Sequence, residues 1–209
     1  MHVEITPYPN FKPAIFTTTY PTPIAEINPP VWLTSMLNLA FEAPVSRAEE
    51  RRTQVRDLLR HEGYKPTGRG KPAAEYLVKA AENDRLGSIN TPVDACNVVS
   101  LHSGLPISVV DLDLLDSPLI IKTGSSDDSY VFNQSGQEIS IAGLLCLHDE
   151  AGPCANAVKD SQRTKTSDST TQTLSIIWGL ESLADQVDAS LAWYLEIIQK
   201  LGATTKRVT

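Results

Sequence analysis

Residues 91–115, TPVDACNVVSLHSGLPISVVDLDLL, constrain the fold more than any other stretch, because they read as a helix that passes directly into a strand. A Thr-Pro pair opens the helix, Gly104 follows its last residue, and the β-branched run after it is typical of a strand. Val93, Asn97 and Leu101 fall on one helical stripe that should face the core. An unpartnered amide there would cost about 1–3 kcal/mol. We therefore expect Asn97 to face a cavity between this helix and the following sheet, hydrogen-bonded to backbone, water or a ligand.

Three further helices are predicted from their end signals and periodicity. Residues 46–62 open with a capping box formed by Ser46 and Glu49. Pro72 stands at the first position of the next helix, where its missing N–H carries no cost. The apolar period over residues 180–200 predicts an amphipathic helix packed on the body of the protein, with a dimer contact as the alternative.

Beyond Pro106 the sequence becomes rich in β-formers. The β-rich runs between turn signals are ISVVDL, LIIKT, YVFN, EISIAGLLCL and TLSIIWG, and AIFTTTY adds a strand near the N-terminus. This pattern is typical of a mixed sheet or a sandwich. No linker is long enough to force a division, so we predict one α+β domain over residues 1–209.

The charge distribution argues against general nucleic-acid binding but permits a specific acidic partner. The chain has a net charge of −7, which opposes indiscriminate attraction to phosphates. Residues 46–71 nevertheless carry eight Lys or Arg against four acids. This basic strip permits contact with a phosphate-bearing partner, although a solvated helix face with paired charges is the simpler explanation.

Few signatures of location or chemistry are present. The three cysteines are an odd count, no apolar run approaches the roughly 18 residues of a membrane span, and no signal peptide is recognisable. These features predict a cytoplasmic protein without a membrane segment. Cys146, His148 and Cys154 offer soft ligands, but no further pair completes a zinc site. With no Walker loop or dinucleotide fingerprint either, we expect neither a metal nor another cofactor.

Two polar segments are candidate binding sites. Lys65, Arg69 and Lys71 stand in KPTGRGK, a glycine-containing loop just before a helix N-terminus, where cations and amides suit a phosphate or carboxylate. The alternative is an exposed basic loop. Residues 160–164, DSQRT, lie between two β-runs and fit a substrate-facing loop or an ordinary Asx or Ser/Thr turn.

Three stretches together resemble free-standing relatives of the B3/B4 domain, the editing module of the phenylalanyl-tRNA synthetase β-subunit. They are GYKPTGRGKPAAEYL, SINTPVDACNVVSLHSGLPISVVDLDLL and DSQRTKTSDSTTQTLSIIWG, and the resemblance covers about residues 50–180. It is most specific from Asn90 to Leu115, which keeps the spacing of the family's VDVTNYV…GQPxHAFDLDxL run. The resemblance implies a β-sandwich-like core flanked by helices. It also implies a role in translation fidelity, since the synthetase domain hydrolyses Tyr wrongly attached to phenylalanine tRNA.

The chain departs from the family pattern at the pocket. Asn97 takes the place of a pocket-lining Asn, whereas Ser108 replaces the family's His. The glutamate that recognises the tyrosine hydroxyl aligns near residues 175–177, where no acid stands. Alternation along this strand predicts that either Ile176 or Ile177 points inward and forms an apolar pocket floor. The resemblance with this change implies a substrate without a distal hydroxyl, or one smaller than Tyr.

The leading hypothesis is an editing hydrolase that deacylates a mischarged aminoacyl-tRNA in trans, without aminoacylation activity and with no catalytic residue assigned. Asn97 and Ser108 would line the aminoacyl pocket, and the remaining substrate-side candidates would hold the water or the α-amino group at its mouth. The substrate-side candidates are Asn97, Ser108, Asp160, Ser161 and Arg163, and the candidates for the tRNA 3′ phosphates are Lys65, Arg69 and Lys71. One alternative is a non-catalytic binding protein for an amino acid or similar small molecule. Another is an RNA-binding accessory of the translation apparatus.

Overall fold

The computed structural model describes residues 1–208. They fold into two four-stranded sheets, a two-stranded ribbon and five α-helices. Thr209, the last residue of the predicted domain, lies outside the described residues. The strands are β1 (Val3–Ile5), β2 (Ala14–Thr19), β3 (Ile107–Asp111), β4 (Leu119–Thr123), β5 (Ser129–Val131), β6 (Glu138–Ser140), β7 (Leu145–Asp149), β8 (Gly152–Asn156), β9 (Gln172–Ile177) and β10 (Thr204–Arg207). The helices are α1 (Val31–Thr34), α2 (Glu49–Arg60), α3 (Ala73–Glu82), α4 (Thr91–Ser103) and α5 (Ala184–Lys200).

The two larger sheets contact each other through β3 and β8, each of which is an edge strand of its sheet. The first sheet has the order β1-β4-β7-β8, with β1 parallel to β4 and the other pairs antiparallel. The second has the order β10-β2-β9-β3 and is antiparallel throughout. Ser108 Oγ on β3 lies 3.2 Å from the carbonyl oxygen of Asn156 at the end of β8. Helices α4 and α5 pack against the second sheet. The predicted fold class, α+β with a sandwich-like mixed-sheet core flanked by helices, is confirmed.

The predicted passage from helix to strand is α4 followed by β3. Asn90, one residue before the predicted cap, caps α4 by accepting a hydrogen bond from the Val93 N–H at 3.0 Å. Gly104 ends the helix in the left-handed conformation, with φ +74°, which a residue without a β-carbon adopts at little cost. The sequence signals for the ends of α4 are therefore accurate to within one residue.

The start of α2 differs from the prediction. The helix begins at Glu49 after Ala48 and has no side-chain cap, so the capping box at Ser46 is wrong. The Ser46 carbonyl instead accepts a hydrogen bond from the Arg51 guanidinium, which also donates to Ser103 O at 3.0 Å. This tertiary contact with the end of α4 competes with the local cap and holds Ser46 outside the helix.

The strand β9 is buried on both of its faces. Ser175 and Ile177 share one face, where Ser175 Oγ lies 3.4 Å from the Tyr194 hydroxyl of α5. Ile176 lies on the other face, opposite Ser108 in the β3–β9 register. Ile176 and Ile177 are both 0% exposed. Ile176 and Ile177 alternate between the two faces as expected, but the expectation that one of them points outward is wrong, because helices cover one face of this sheet and the junction with the first sheet covers the other.

Within residues 1–208, no helix has the length and apolar character needed to cross a membrane.

Candidate functional site

A cavity of 610 Å³ lies between the loop that joins α2 to α3, the β5–β6 ribbon and the turn after β8. Its lining combines three cations, one carboxylate, two aromatic rings and several small or polar groups. The lining residues are Tyr64, Lys65, Thr67, Arg69, Gly70, Phe132, Gln137, Glu138, Ile139, Ser140 and Lys159. Two of the three predicted phosphate-binding cations, Lys65 and Arg69, therefore share this cavity. Lys71 is half-buried in the extended lead into α3 and is not among the lining residues.

The cations of the cavity carry no carboxylate partner in the described part of the chain. Lys159 Nζ lies 3.9 Å from the centroid of the Phe132 ring, which is a cation–π contact. Burial and the neighbouring charge of Arg69 lower the pKa of Lys159. Lys65 and Arg69 are exposed. Like charges held together near a single acid, Glu138, are stabilised when an anion binds among them.

The other five cations of the basic strip are engaged within the protein. Arg47 and Arg51 donate to the carbonyl oxygens of Leu101 and Ser103 at the end of α4. The ion pairs are Arg52–Glu49, Arg56–Glu75 and Arg60–Asp57, with N–O distances of 3.1, 2.6 and 2.6 Å. The simpler explanation of paired charges thus holds for three of the eight cations, and carbonyl oxygens engage two more. It does not hold for Lys65 and Arg69.

Two tyrosines fix the loop that carries these cations. Gly68 has a φ of +56°, and its carbonyl accepts a hydrogen bond from the Tyr76 hydroxyl at 3.1 Å. The Tyr64 hydroxyl donates to Gly70 O at 3.2 Å, and a β-carbon at Gly70 would collide with that hydroxyl. The glycines of this loop therefore allow it to fold tightly over the two rings, with Lys65 and Arg69 on one wall of the cavity.

The turn after β8 places two charged residues side by side. Asn156 Oδ1 accepts hydrogen bonds from the backbone N–H groups of Val158 and Lys159, at 2.8 and 2.9 Å. Its amide nitrogen donates to the Tyr130 hydroxyl, which donates in turn to Lys159 O. The turn directs Lys159 into the cavity and Asp160 toward β3. The sequence analysis missed Asn156 and Lys159, for which the only local signal was the adjacency of Lys159 to Asp160.

Asp160 lies at the junction of the two sheets. Its Oδ1 accepts hydrogen bonds from Ser108 Oγ at 2.7 Å and from Asn156 N at 3.2 Å. Trp178 Nε1 donates to the same Ser108 oxygen at 2.9 Å. Asp160 Oδ2 has no hydrogen bond within residues 1–208 and keeps contact with solvent. Burial raises the pKa of Asp160 to about 7.

Ser108 is enclosed behind Asp160. The Ser108 residue is 1% exposed, and its hydroxyl accepts a hydrogen bond from Trp178 and donates one to Asp160. Asp160, which is partly exposed, therefore lies nearer to solvent than Ser108.

Ser161 and Arg163 form internal contacts. The Arg163 guanidinium donates to both carboxylate oxygens of Asp149, at 2.8 and 2.9 Å. Ser161 is buried, and its hydroxyl caps the short turn by accepting from Arg163 N at 3.3 Å. Contact between these two residues and a substrate remains a prediction.

Asn97 is half-buried on α4, whose other residues are almost all buried. Its side-chain amide has no hydrogen-bond partner among residues 1–208 and keeps contact with solvent. The amide does not line the 610 Å³ cavity. Because the Asn97 amide reaches solvent, it does not pay the cost of a buried amide without a hydrogen-bond partner. The amide is also accessible to a ligand.

Cys146, His148 and Cys154, the soft ligands noted in the sequence, are buried on β7 and β8 of the first sheet. Cys146 and Cys154 are free, buried thiols, and His148 Nδ1 lies 3.0 Å from Cys146 O. Across residues 1–208, no group of three or more His, Cys, Asp or Glu side chains is arranged to hold a metal ion.

Comparison with known proteins connects this architecture to a family. No curated protein sequence matches the chain. Among solved structures, it is similar to the crystal structure of an N-terminal fragment of the phenylalanyl-tRNA synthetase β-subunit from Pyrococcus horikoshii, with a TM-score of 0.50 and 10% identity. The match covers 99% of this chain and 50% of that fragment, so the chain spans half of its length, and the likeness concerns the fold. The B3/4 domain sequence model matches residues 65–183, more than half of the chain. The protein belongs to the B3/4 domain family.

Proposed function

We propose that this protein binds the aminoacylated 3′ end of a tRNA and hydrolyses a wrong aminoacyl ester in trans. The observation that carries the proposal is the convergence of Lys65, Arg69 and Lys159 on one cavity, with Asp160 next to Lys159 in the same turn. Membership of the B3/4 family and the fold shared with a tRNA synthetase subunit support the same substrate class.

The distribution of charge favours a specific acidic ligand. A net charge of −7 repels polyanions from most of the surface, whereas three cations without a carboxylate partner in the described residues line the same cavity. Tyr64 and Phe132 line it as well, and aromatic rings beside cations suit a single-stranded nucleic-acid end, whose bases stack on them. In this arrangement the cations hold the 3′ phosphates, and the ester reaches the adjacent Asp160.

The substrate-side candidates take different roles in this proposal. Asp160 faces the reacting ester, and Ser108 supports it from behind. Asn97 offers a free amide to the aminoacyl group. Ser161 and Arg163 hold the shape of the loop that follows Asp160, which borders the mouth of the site.

A second candidate function is non-catalytic binding of an amino acid. Glu138 lines the same cavity as Lys65 and Arg69. A carboxylate opposite two cations complements the α-ammonium and α-carboxylate groups of a free amino acid. In this case no tRNA takes part.

Release of labelled amino acid from charged tRNA tests the proposal. The probes are a phenylalanine tRNA transcript and an unrelated tRNA transcript, each charged separately with Tyr, Phe, Leu, Met, Ile, Val or Ala. We expect the protein to accelerate hydrolysis of at least one ester, and Lys65→Ala/Arg69→Ala to lose that acceleration. Arg60→Ala is the matched control, because Arg60 belongs to the same basic strip but pairs with Asp57.

Calorimetric titration with the same free amino acids separates the two functions. Binding of a free amino acid without hydrolysis of any charged tRNA would replace the proposed function by the second candidate.

A further inference from the structure

We propose that Asp160 is the general base of the hydrolysis and that Ser108 and Trp178 position it through a chain of hydrogen bonds. This inference rests on the proposed function and adds the group that activates the water.

The two carboxylate oxygens of Asp160 have different surroundings, because the hydrogen-bond donors reach only Oδ1. The indole N–H of Trp178 can only donate, so Ser108 Oγ accepts from it and has one hydrogen to give. Asp160 Oδ1, at 2.7 Å, is a closer acceptor for that hydrogen than the Asn156 carbonyl oxygen at 3.2 Å. Asn156 N, at 3.2 Å, also donates to Oδ1. Both donors therefore engage Oδ1, whereas Oδ2 has no hydrogen bond within residues 1–208 and Asp160 is partly exposed. A carboxylate held by one oxygen and open at the other is arranged to accept a proton from a water.

The surroundings of Asp160 contain one cation and several neutral groups. Lys165 acts on the carboxylate electrostatically, but its Nζ is held by Phe132 O at 2.6 Å. The other ionisable groups that interact with the Asp160 charge are the thiols of Cys96, Cys146 and Cys154 and the phenol of Tyr130, and burial raises the pKa of each. These four groups stay neutral at pH 7, so Asp160 is the group at this junction that titrates near neutrality.

The pKa of Asp160 suits the task that the geometry assigns to it. Burial raises it to about 7, whereas the hydrogen bond from Ser108 opposes the rise. A base whose pKa lies close to the working pH combines a large ionised fraction with useful basicity.

The reaction that follows is balanced with water as the only co-reactant. Asp160 Oδ2 takes a proton from water as the water oxygen bonds to the ester carbonyl carbon, which gives a tetrahedral oxyanion. The carbonyl re-forms and the bond to the ribose oxygen breaks. That oxygen leaves with the proton from Asp160, so the products are the free amino acid and the tRNA, and the carboxylate is restored.

Asp160→Asn tests the base, with single-turnover hydrolysis of the charged-tRNA panel followed from pH 5.5 to 8.5. For the native protein we expect the rate to rise with pH and level off above the pKa of Asp160. For Asp160→Asn we expect a rate about 10²–10⁴-fold lower and the loss of this profile. Binding of uncharged tRNA should be unchanged, since the cations of the cavity are intact.

Ser108→Ala tests the positioning chain and serves as a second variant if Asp160→Asn fails to fold. Removal of a donor that stabilises the ionised form should move the midpoint of the pH–rate profile to higher pH. A Ser108 that only fills space would leave the midpoint in place, and that result would overturn the positioning role.

Two outcomes would overturn the assignment of Asp160 while leaving the proposed function standing. One is hydrolysis by Asp160→Asn at the native rate. The other is a loss that disappears when the α-amino group of the substrate is acetylated, because Asp160 would then bind the ammonium group. Absence of hydrolysis by the native protein across the panel would overturn the proposed function itself.

Discussion

Replacement of Arg163 by Ala should destabilise the fold rather than abolish a substrate contact. The Asp149 side chain is 0% exposed and accepts two hydrogen bonds from Arg163 and one from Asp116 N. Burial is the largest influence on the pKa of Asp149 and would raise it, but the hydrogen bonds and charge of Arg163, together with the backbone N–H groups of Asp116 and Ala151, outweigh burial and hold the pKa below its usual value. In Arg163→Ala the buried carboxylate keeps only the backbone donors of Asp116 and Ala151.

The size of the effect follows from this geometry. Loss of one partner of a fully buried ion pair costs about 3–5 kcal/mol. The Arg163 side chain is 36% exposed, so solvent screens part of the interaction. We therefore expect a loss of about 2–3 kcal/mol in the free energy of unfolding. In a chain of this size that corresponds to a fall in Tm of about 5–10 °C.

Urea and thermal unfolding of both proteins at pH 7 and pH 3 measure this effect. Because the native pKa of Asp149 is lowered, the pair stabilises the fold above the carboxyl's unfolded pKa, and the contribution is lost as pH falls from there through the native value. The difference in unfolding free energy between native protein and variant should therefore narrow as pH falls below about 4. Arg60→Ala, which breaks an exposed pair, should cost less than about 1 kcal/mol. An unchanged Tm for Arg163→Ala, together with lost deacylation, would refute this reasoning and return Arg163 to the substrate.

Three further predictions concern the ligand. In the triple variant Lys65→Ala/Arg69→Ala/Lys159→Ala, the slope of log affinity for tRNA against log salt concentration should flatten by about two units. Each contact with a single-strand phosphate contributes about 0.7 to that slope. An unchanged slope would show that the cavity does not hold phosphates. Asn97→Ala should lower the free energy of unfolding by less than about 1 kcal/mol, because the amide has no protein hydrogen bond to lose, and should slow deacylation; a large fall in Tm instead would assign Asn97 to the fold. The buried Ile176 stands near the position of the family's glutamate, so the Phe ester should be cleaved faster than the Tyr ester, and a preference for Tyr would contradict an apolar pocket floor.

The elements predictable from sequence are those whose signals are local. Helix α4 is marked by a proline in its first turn and by Gly104 at its end, and β4 coincides with the run LIIKT. Three strands, β1, β8 and β10, were not predicted. The strand β8 reads GPCAN, with the glycine and proline of a turn, and β10 is four exposed residues that pair with β2 from the far end of the chain. Pairing across the fold, rather than local propensity, makes them strands.

In the candidate site, too, some features follow from local sequence and others depend on contacts across the fold. Lys65 and Arg69 stand close together in a loop whose composition indicates an anion site. The contribution of Lys159 depends on the turn that Asn156 folds, and on the ribbon that brings Phe132 beside it. The engagement of Arg163 depends on Asp149 from another strand. The polar residues of these segments can be read from the sequence. Which of them form hydrogen bonds or ion pairs within the protein cannot, because the partners lie on other elements.

The central claim is that one site takes both the tRNA end and the amino acid attached to it. The most direct test measures binding of a CCA-ended minihelix that carries an aminoacyl group through a non-hydrolysable 3′-amide, beside the uncharged minihelix and the free amino acid. We predict that the charged minihelix binds more tightly than either component, and that Lys65→Ala/Arg69→Ala weakens both minihelices whereas Arg60→Ala weakens neither. Equal affinity for the charged and uncharged minihelices, or binding of the free amino acid alone, would contradict the account.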